Sequence, residues 1–133
     1  MRKGAAQMDQ LNWKSKLVVL WILQILNFIA VLIIPESIEL IVEEVGPALG
    51  PLIAFYFFLT SLMMWLTVAV KPSISRWPII VVGVFYAFVK VQWIVNALTG
   101  DIVIGLFLTE LWGFVAAAML VWYGWKAPRA VAV

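Results

Sequence analysis

Apolar residues fill four long runs, Leu17–Ile34, Leu52–Val70, Ile79–Leu98 and Ile102–Trp125, with polar residues gathered between them. Each run is close to the ~20 residues that carry a helix across a ~30 Å hydrocarbon core. The spacing therefore predicts an all-α integral membrane bundle of four helices in a single domain. Proline marks the boundaries: Pro35, Pro47, Pro51, Pro72, Pro78 and Pro128 all fall at the ends of runs. Proline lacks the amide donor needed inside a helix but suits its first turn, which is the role expected of Pro51 and Pro78. Leu98-Thr99-Gly100-Asp101 supplies a glycine stop and then an aspartate N-cap. A tight turn there makes the third and fourth helices antiparallel neighbours.

The segment between the first two runs has a different pattern. Glu36, Glu39, Glu43 and Glu44 fall mostly on one helical face, and Ile38, Ile41, Val42 and Val45 fall on another. A short amphipathic helix over 36–45, lying on the membrane surface with its acids toward water, is predicted. The acidic face has two readings, a solvated surface or a vestibule that concentrates cations. A hard-metal site built from these glutamates alone is weakly specified.

Composition supports the bundle. The chain is 65% hydrophobic and 12% charged, against roughly 25% charged in ordinary soluble domains. Cysteine and histidine are both absent, which removes disulfides, thiol nucleophiles, imidazole metal ligands and axial haem histidines. No cofactor or metal site is expected. The net charge is +2, but the basic residues flank membrane runs and form no aromatic-interleaved stripe, so a nucleic-acid partner is not expected. The lipid bilayer is the expected environment.

Eight of the nine Lys and Arg occupy the N-terminal tail, the 71–76 loop and the C-terminal tail. Basic loops stay cytoplasmic, so both termini should face the cytoplasm, with Trp13, Trp65, Trp77, Trp122, Tyr123 and Trp125 in the adjoining interfacial belt. The first run follows Arg2, Lys3, Lys14 and Lys16 as a secretory signal would. It is long, however, and lacks a small-x-small cleavage site before Pro35, so it is expected to remain as a helix. Met8 is an alternative start.

Lys90 and Glu110 are the candidate functional residues. Lys90 lies eight residues before Leu98 and Glu110 eight after Ile102, so at ~1.5 Å rise per residue both sit ~12 Å inside the outer ends of their helices. Asn27 and Thr60 fall at similar depth, with Gln24 and Gln92 extending the polar layer inward and outward and Tyr86 one turn before Lys90. Two accounts compete. In one, the layer ties the bundle together through interhelical hydrogen bonds of roughly 0.6–2 kcal/mol each. In the other, Glu110 is the charge centre of a site that binds or passes a small solute, with Lys90 as counter-ion. A lone mid-membrane charge costs ~2.5–3.5 kcal/mol, which packing alone does not require. Accessibility discriminates the two, because a site needs a cavity reaching Glu110 and a packing layer is filled.

Gly105, Thr109, Gly113 and Ala117 recur every fourth residue on the fourth helix. Such a strip allows close backbone approach, within the chain, to a second copy, or to another membrane protein. No nucleophile and base pair or metal triad can be assembled, so an enzyme is not expected. The alternative to a solute site is a structural or accessory membrane subunit.

The stretches GPALGP (Gly46–Pro51), PSISRWPIIVVGVFYAFVKV (Pro72–Val91) and LVWYGWKAPR (Leu120–Arg129) resemble a family of small bacterial four-helix membrane proteins of unknown function, loosely similar to the DoxX-like group. The resemblance spans roughly Trp13 to Arg129. It implies four helices, cytoplasmic ends and a bacterial or archaeal cell membrane, the inner membrane in a two-membrane cell, and it assigns no activity, cofactor or site residue. The plan of short helices around one membrane carboxylate is similar in design to small multidrug transporters, which carry theirs in the first helix.

Overall fold

The computed structural model describes residues 2–99 and 102–128. It contains α1 (Arg2–Ile33), α2 (Pro35–Val45), a single 3₁₀ turn (Gly46–Ala48), α3 (Leu49–Ala69), α4 (Pro72–Leu98) and α5 (Ile104–Trp125). Four stretches, Gln7–Ile33, Pro35–Ala69, Pro72–Leu98 and Ile104–Trp125, are long and apolar enough to cross a membrane. Outward-facing Leu26, Phe58, Val81, Phe88 and Trp112 are each more than half exposed. An apolar exterior of that kind suits hydrocarbon and would be a large unpartnered patch in water. The chain is a multi-pass membrane protein, an all-α four-helix bundle with one added short helix.

Two helices, α1 and α4, begin more than a turn before the apolar runs. In α1 the buried positions Trp13, Leu17, Leu20, Trp21, Gln24, Asn27 and Val31 continue one face well below Leu17. The helix extends because that face still has something to pack against. Trp13 therefore faces the bundle and not the lipid: it is 5% exposed and its Nε1 donates to the Tyr123 carbonyl at 2.7 Å. α4 starts at Pro72, with Lys71 extended before it and donor-free Pro72 at its first position. Pro78 consequently lies inside α4 instead of opening it, leaving the carbonyl one turn earlier without its usual donor.

α5 begins at Ile104 with Val103 in the N-cap position. The expected Gly100 and Asp101 turn lies outside the described residues. α4 and α5 nevertheless form the most extensive helix contact, followed by α1 with α5, so α5 is the centre of the bundle. α3 packs on α1 and meets α4 much less. Close approach of α4 and α5 depends on Gly83, where a Cβ would fall 2.9 Å from Val121 Cγ2.

α2 buries Ser37 and Ile41 and leaves Glu36, Glu39, Glu43 and Glu44 exposed. Its inward face is not quite the expected one, since Val42 is 47% exposed. Ile41, with Leu40 and Val45 beside it, joins Val31, Ala97 and Leu106 in a cluster that closes one end of the bundle. Gly46 ends α2 at φ +53°, a left-handed conformation that side chains with a Cβ resist. The opposite end carries the cations. Lys14 Nζ donates to the Val68 carbonyl at 3.0 Å, Arg76 Nη2 to the Trp125 carbonyl at 2.9 Å, and Lys126 lies over the Trp122 ring. The C-terminal ends of α3 and α5 there are each met by positive charge.

Candidate functional site

Lys90 on α4 and Glu110 on α5 face each other in the bundle interior, 2% and 3% exposed. Their closest approach, Nζ to Oε1, is 3.5 Å, long for a charge-assisted hydrogen bond. Lys90 makes its shorter contact elsewhere, donating to Asn27 Oδ1 at 2.9 Å, and its ammonium also lies 5.4 Å from the centre of the Tyr56 ring. Asn27 in turn donates from Nδ2 to the Thr109 carbonyl. The ion pair thus belongs to a string that crosses α5, α4 and α1.

Gly113 makes room for that string. A Cβ there would sit 2.6 Å from Asn27 Oδ1 and 3.0 Å from Lys90 Cε. Ala117 on the same face is fully buried, and its carbonyl lies 3.4 Å from where a Gly83 Cβ would stand. Gly105 approaches Ile34, with 3.2 Å between its built Cβ and the Ile34 Cγ2. Thr109 turns its hydroxyl back to the Gly105 carbonyl at 2.7 Å. The strip is accordingly used within the chain at Gly113 and Ala117, which are buried, whereas Gly105 and Thr109 are half-buried.

A second string lies beside the first. Gln24 Nε2 donates to the Gly113 carbonyl at 3.1 Å, and Tyr56 donates its hydroxyl to Gln24 Oε1 at 2.9 Å. Thr60 Oγ1 donates to the Tyr56 carbonyl at 2.8 Å and shares a 2.7 Å bond with the Tyr86 hydroxyl. The Tyr56 ring stacks between Phe28 and Tyr86, at centroid distances of 4.3 and 4.8 Å. Asn27, Gln24, Thr60 and Tyr86 therefore join the layer as expected from the sequence. Gln92 does not: it is exposed on the outside of α4, because a position two residues after Lys90 falls about 200° around a 3.6-residue helix.

Tyr56 is the polar residue that depth counting overlooked. A signal was present, since Tyr56, Thr60, Met63 and Thr67 form the buried face of α3, a polar stripe in an otherwise lipid-compatible helix. Thr67 accepts a hydrogen bond from Trp21 Nε1 at 3.1 Å, farther along the same helix pair.

Above this layer lies a cavity of about 150 Å³. Glu110, Lys90, Tyr56 and Tyr86 line it, and Phe28, Val31, Ile41, Val45, Val89 and Trp93 are among its apolar walls. Phe55 on α3 and Phe85 on α4 also line it and are 52% and 46% exposed. The outer wall is therefore the seam between α3 and α4, which touch less than α3 and α1 do. Glu110 Oε2, buried, has no hydrogen-bond partner. An unmet buried acceptor costs about 1–3 kcal/mol, more when charged, and this one belongs to a residue of the cavity lining.

A shallower hollow of about 340 Å³ lies outside α1 and α5, with Asn27 and Thr109 among its lining residues. These groups already bond each other there. Among the described residues no three acidic side chains converge to hold a metal ion. The chain has no match among protein-family models, curated proteins or solved structures.

Proposed function

We propose that this protein binds a small lipophilic solute in the intramembrane cavity, with Glu110 as the group that receives it and Lys90 as the counter-ion that holds Glu110 in the bundle. The observation that carries this reading is the coincidence of an apolar cavity with a buried carboxylate oxygen that nothing in the chain engages. A layer that served packing alone would be filled at that point, since an empty space forfeits dispersion contacts and an unpaired oxygen forfeits a hydrogen bond. The chain contributes binding and orientation in this account and no chemical transformation.

The second reading, a structural or accessory subunit, draws support from the side-chain bonds of Gln24 and Asn27 to carbonyls of α5. Those contacts tie α1 to α5 and are compatible with solute binding. Under either reading we assign the protein to a bacterial inner membrane with both termini cytoplasmic. The support for the orientation is charge, because Lys14, Lys16, Lys71, Arg76 and Lys126 belong to the ends that gather at one side of the bundle, and basic ends stay cytoplasmic; the bacterial membrane rests on the resemblance alone.

Whether binding leads to movement across the bilayer is decided in proteoliposomes. Solute-dependent flux in the wild type, abolished in a folded Glu110→Gln protein, establishes transport through this site. No flux above empty liposomes, with a lowered melting temperature for Glu110→Gln and no saturable binding of lipophiles, replaces the solute reading with the accessory one.

A further inference from the structure

Resting on the reading of the cavity as a binding site, we infer the chemical class of its occupant: a neutral lipophile on the scale of one aromatic ring that carries a single hydroxyl donor and enters from the hydrocarbon between α3 and α4. Size comes first. An apolar cavity of 150 Å³ is of the order that accepts a benzene-sized molecule. Nearly all of its wall is aliphatic or aromatic, and Phe55, Phe85 and Trp93 offer flat surfaces to a ring.

The head group follows from the polar atoms present. The Tyr56 hydroxyl is bound to Gln24, the Tyr86 hydroxyl to Thr60, and Lys90 to Asn27 and Glu110. Glu110 Oε2 is the polar atom of this group left without a partner. The occupant must therefore bring a donor. An ether or hydrocarbon would leave Oε2 unmet.

Net charge narrows the class further. Lys90 and Glu110 sum to zero, so a charged head would enter a dry site without a counter-charge, where burial of an unpaired ion is expensive. An ammonium at Oε2 would stand close to Lys90, and a carboxylate would face the carboxylate already there. Access follows from the half-exposed Phe55 and Phe85 on the seam. A molecule dissolved in the acyl chains reaches the cavity by displacing two side chains, with no passage through water.

The test uses the full chain in lipid nanodiscs and equilibrium dialysis against empty nanodiscs, with four probes: 4-methylphenol, toluene, benzylammonium and benzoate. The expected result is saturable binding of about one 4-methylphenol per chain, roughly tenfold tighter than toluene, the ratio given by one hydrogen bond of ordinary strength. Benzylammonium and benzoate should bind more weakly than the phenol. Val89→Phe, which fills the cavity and leaves Lys90 and Glu110 in place, should remove the saturable component. Equal saturable binding of toluene and 4-methylphenol, both lost in Val89→Phe, overturns the hydroxyl class while the binding site stands. Tighter binding of either charged probe overturns the requirement for neutrality. Absence of saturable binding by all four overturns the class and the site together. If Val89→Phe does not fold, the order of the four probes on the wild type still supports or overturns the class.

Discussion

Removing Lys90 and Glu110 singly should have unequal consequences, and removing both should be milder than the sum. Lys90→Met leaves Glu110 buried at 3% exposure with no hydrogen bond at either oxygen. Breaking a buried pair from one side costs about 3–5 kcal/mol, and this case belongs at the upper end. Glu110→Leu leaves Lys90 its 2.9 Å bond to Asn27 and its position over the Tyr56 ring, so a loss nearer ~3 kcal/mol is expected. In the double variant neither orphan charge remains. The loss should be about 5–6 kcal/mol where additivity would give ~8, a coupling energy of about 2–3 kcal/mol, the upper part of the range for residues in direct contact. The assay is equilibrium unfolding in a mild detergent by a denaturing detergent titration, read by tryptophan fluorescence, for all four members of the cycle. Additive losses within ~0.5 kcal/mol, or a larger loss for Glu110→Leu than for Lys90→Met, would refute the reasoning.

Gly113→Ala should destabilise by about 1–3 kcal/mol through overpacking, since its Cβ would meet Asn27 Oδ1 at 2.6 Å; Gly50→Ala, where a Cβ meets nothing within 4 Å, should change stability by less than half as much in the same unfolding assay. Tyr56→Phe keeps the ring stack but leaves Gln24 Oε1 without its 2.9 Å donor, a loss of about 1–3 kcal/mol, which Tyr56→Phe paired with Gln24→Met should reduce. The chain has no cysteine, so single cysteines report topology directly: an impermeant thiol reagent applied to whole cells should label Ala48→Cys and not Ser73→Cys, both exposed positions, and the reverse pattern would invert the orientation.

The four membrane runs and the depth of the polar layer were legible because hydropathy and helical rise act on one segment at a time. Lys90, Glu110, Asn27, Gln24, Thr60 and Tyr86 could be placed by counting along the chain. Facing directions were less legible, as Gln92 and Val42 show: each lies within a turn of a buried residue, and only packing decides which side turns inward. The N-terminal half of α1 has the polar composition of a tail, although Trp13 continues the buried face to its bond with Tyr123. Pro78 looked like a helix start until Pro72, with nothing helical before it, supplied a better one. The cavity itself was invisible, since it results from α3 standing off from α4 and from α2 folding over the bundle end. No local pattern encodes that gap.

The proposed site stands on Glu110 Oε2 meeting a ligand in the cavity, and carbon-13 NMR of the glutamate side-chain carboxyls measures this directly. Five glutamates are present, and Glu110→Gln assigns the resonance of Glu110 by its disappearance. Saturation of the nanodisc-bound protein with 4-methylphenol should shift that resonance and leave those of Glu36, Glu39, Glu43 and Glu44 in place, and the shift should vanish in Val89→Phe. A Glu110 resonance unmoved across a full titration, or one that moves equally with the cavity filled, would contradict the claim that this carboxylate receives a ligand.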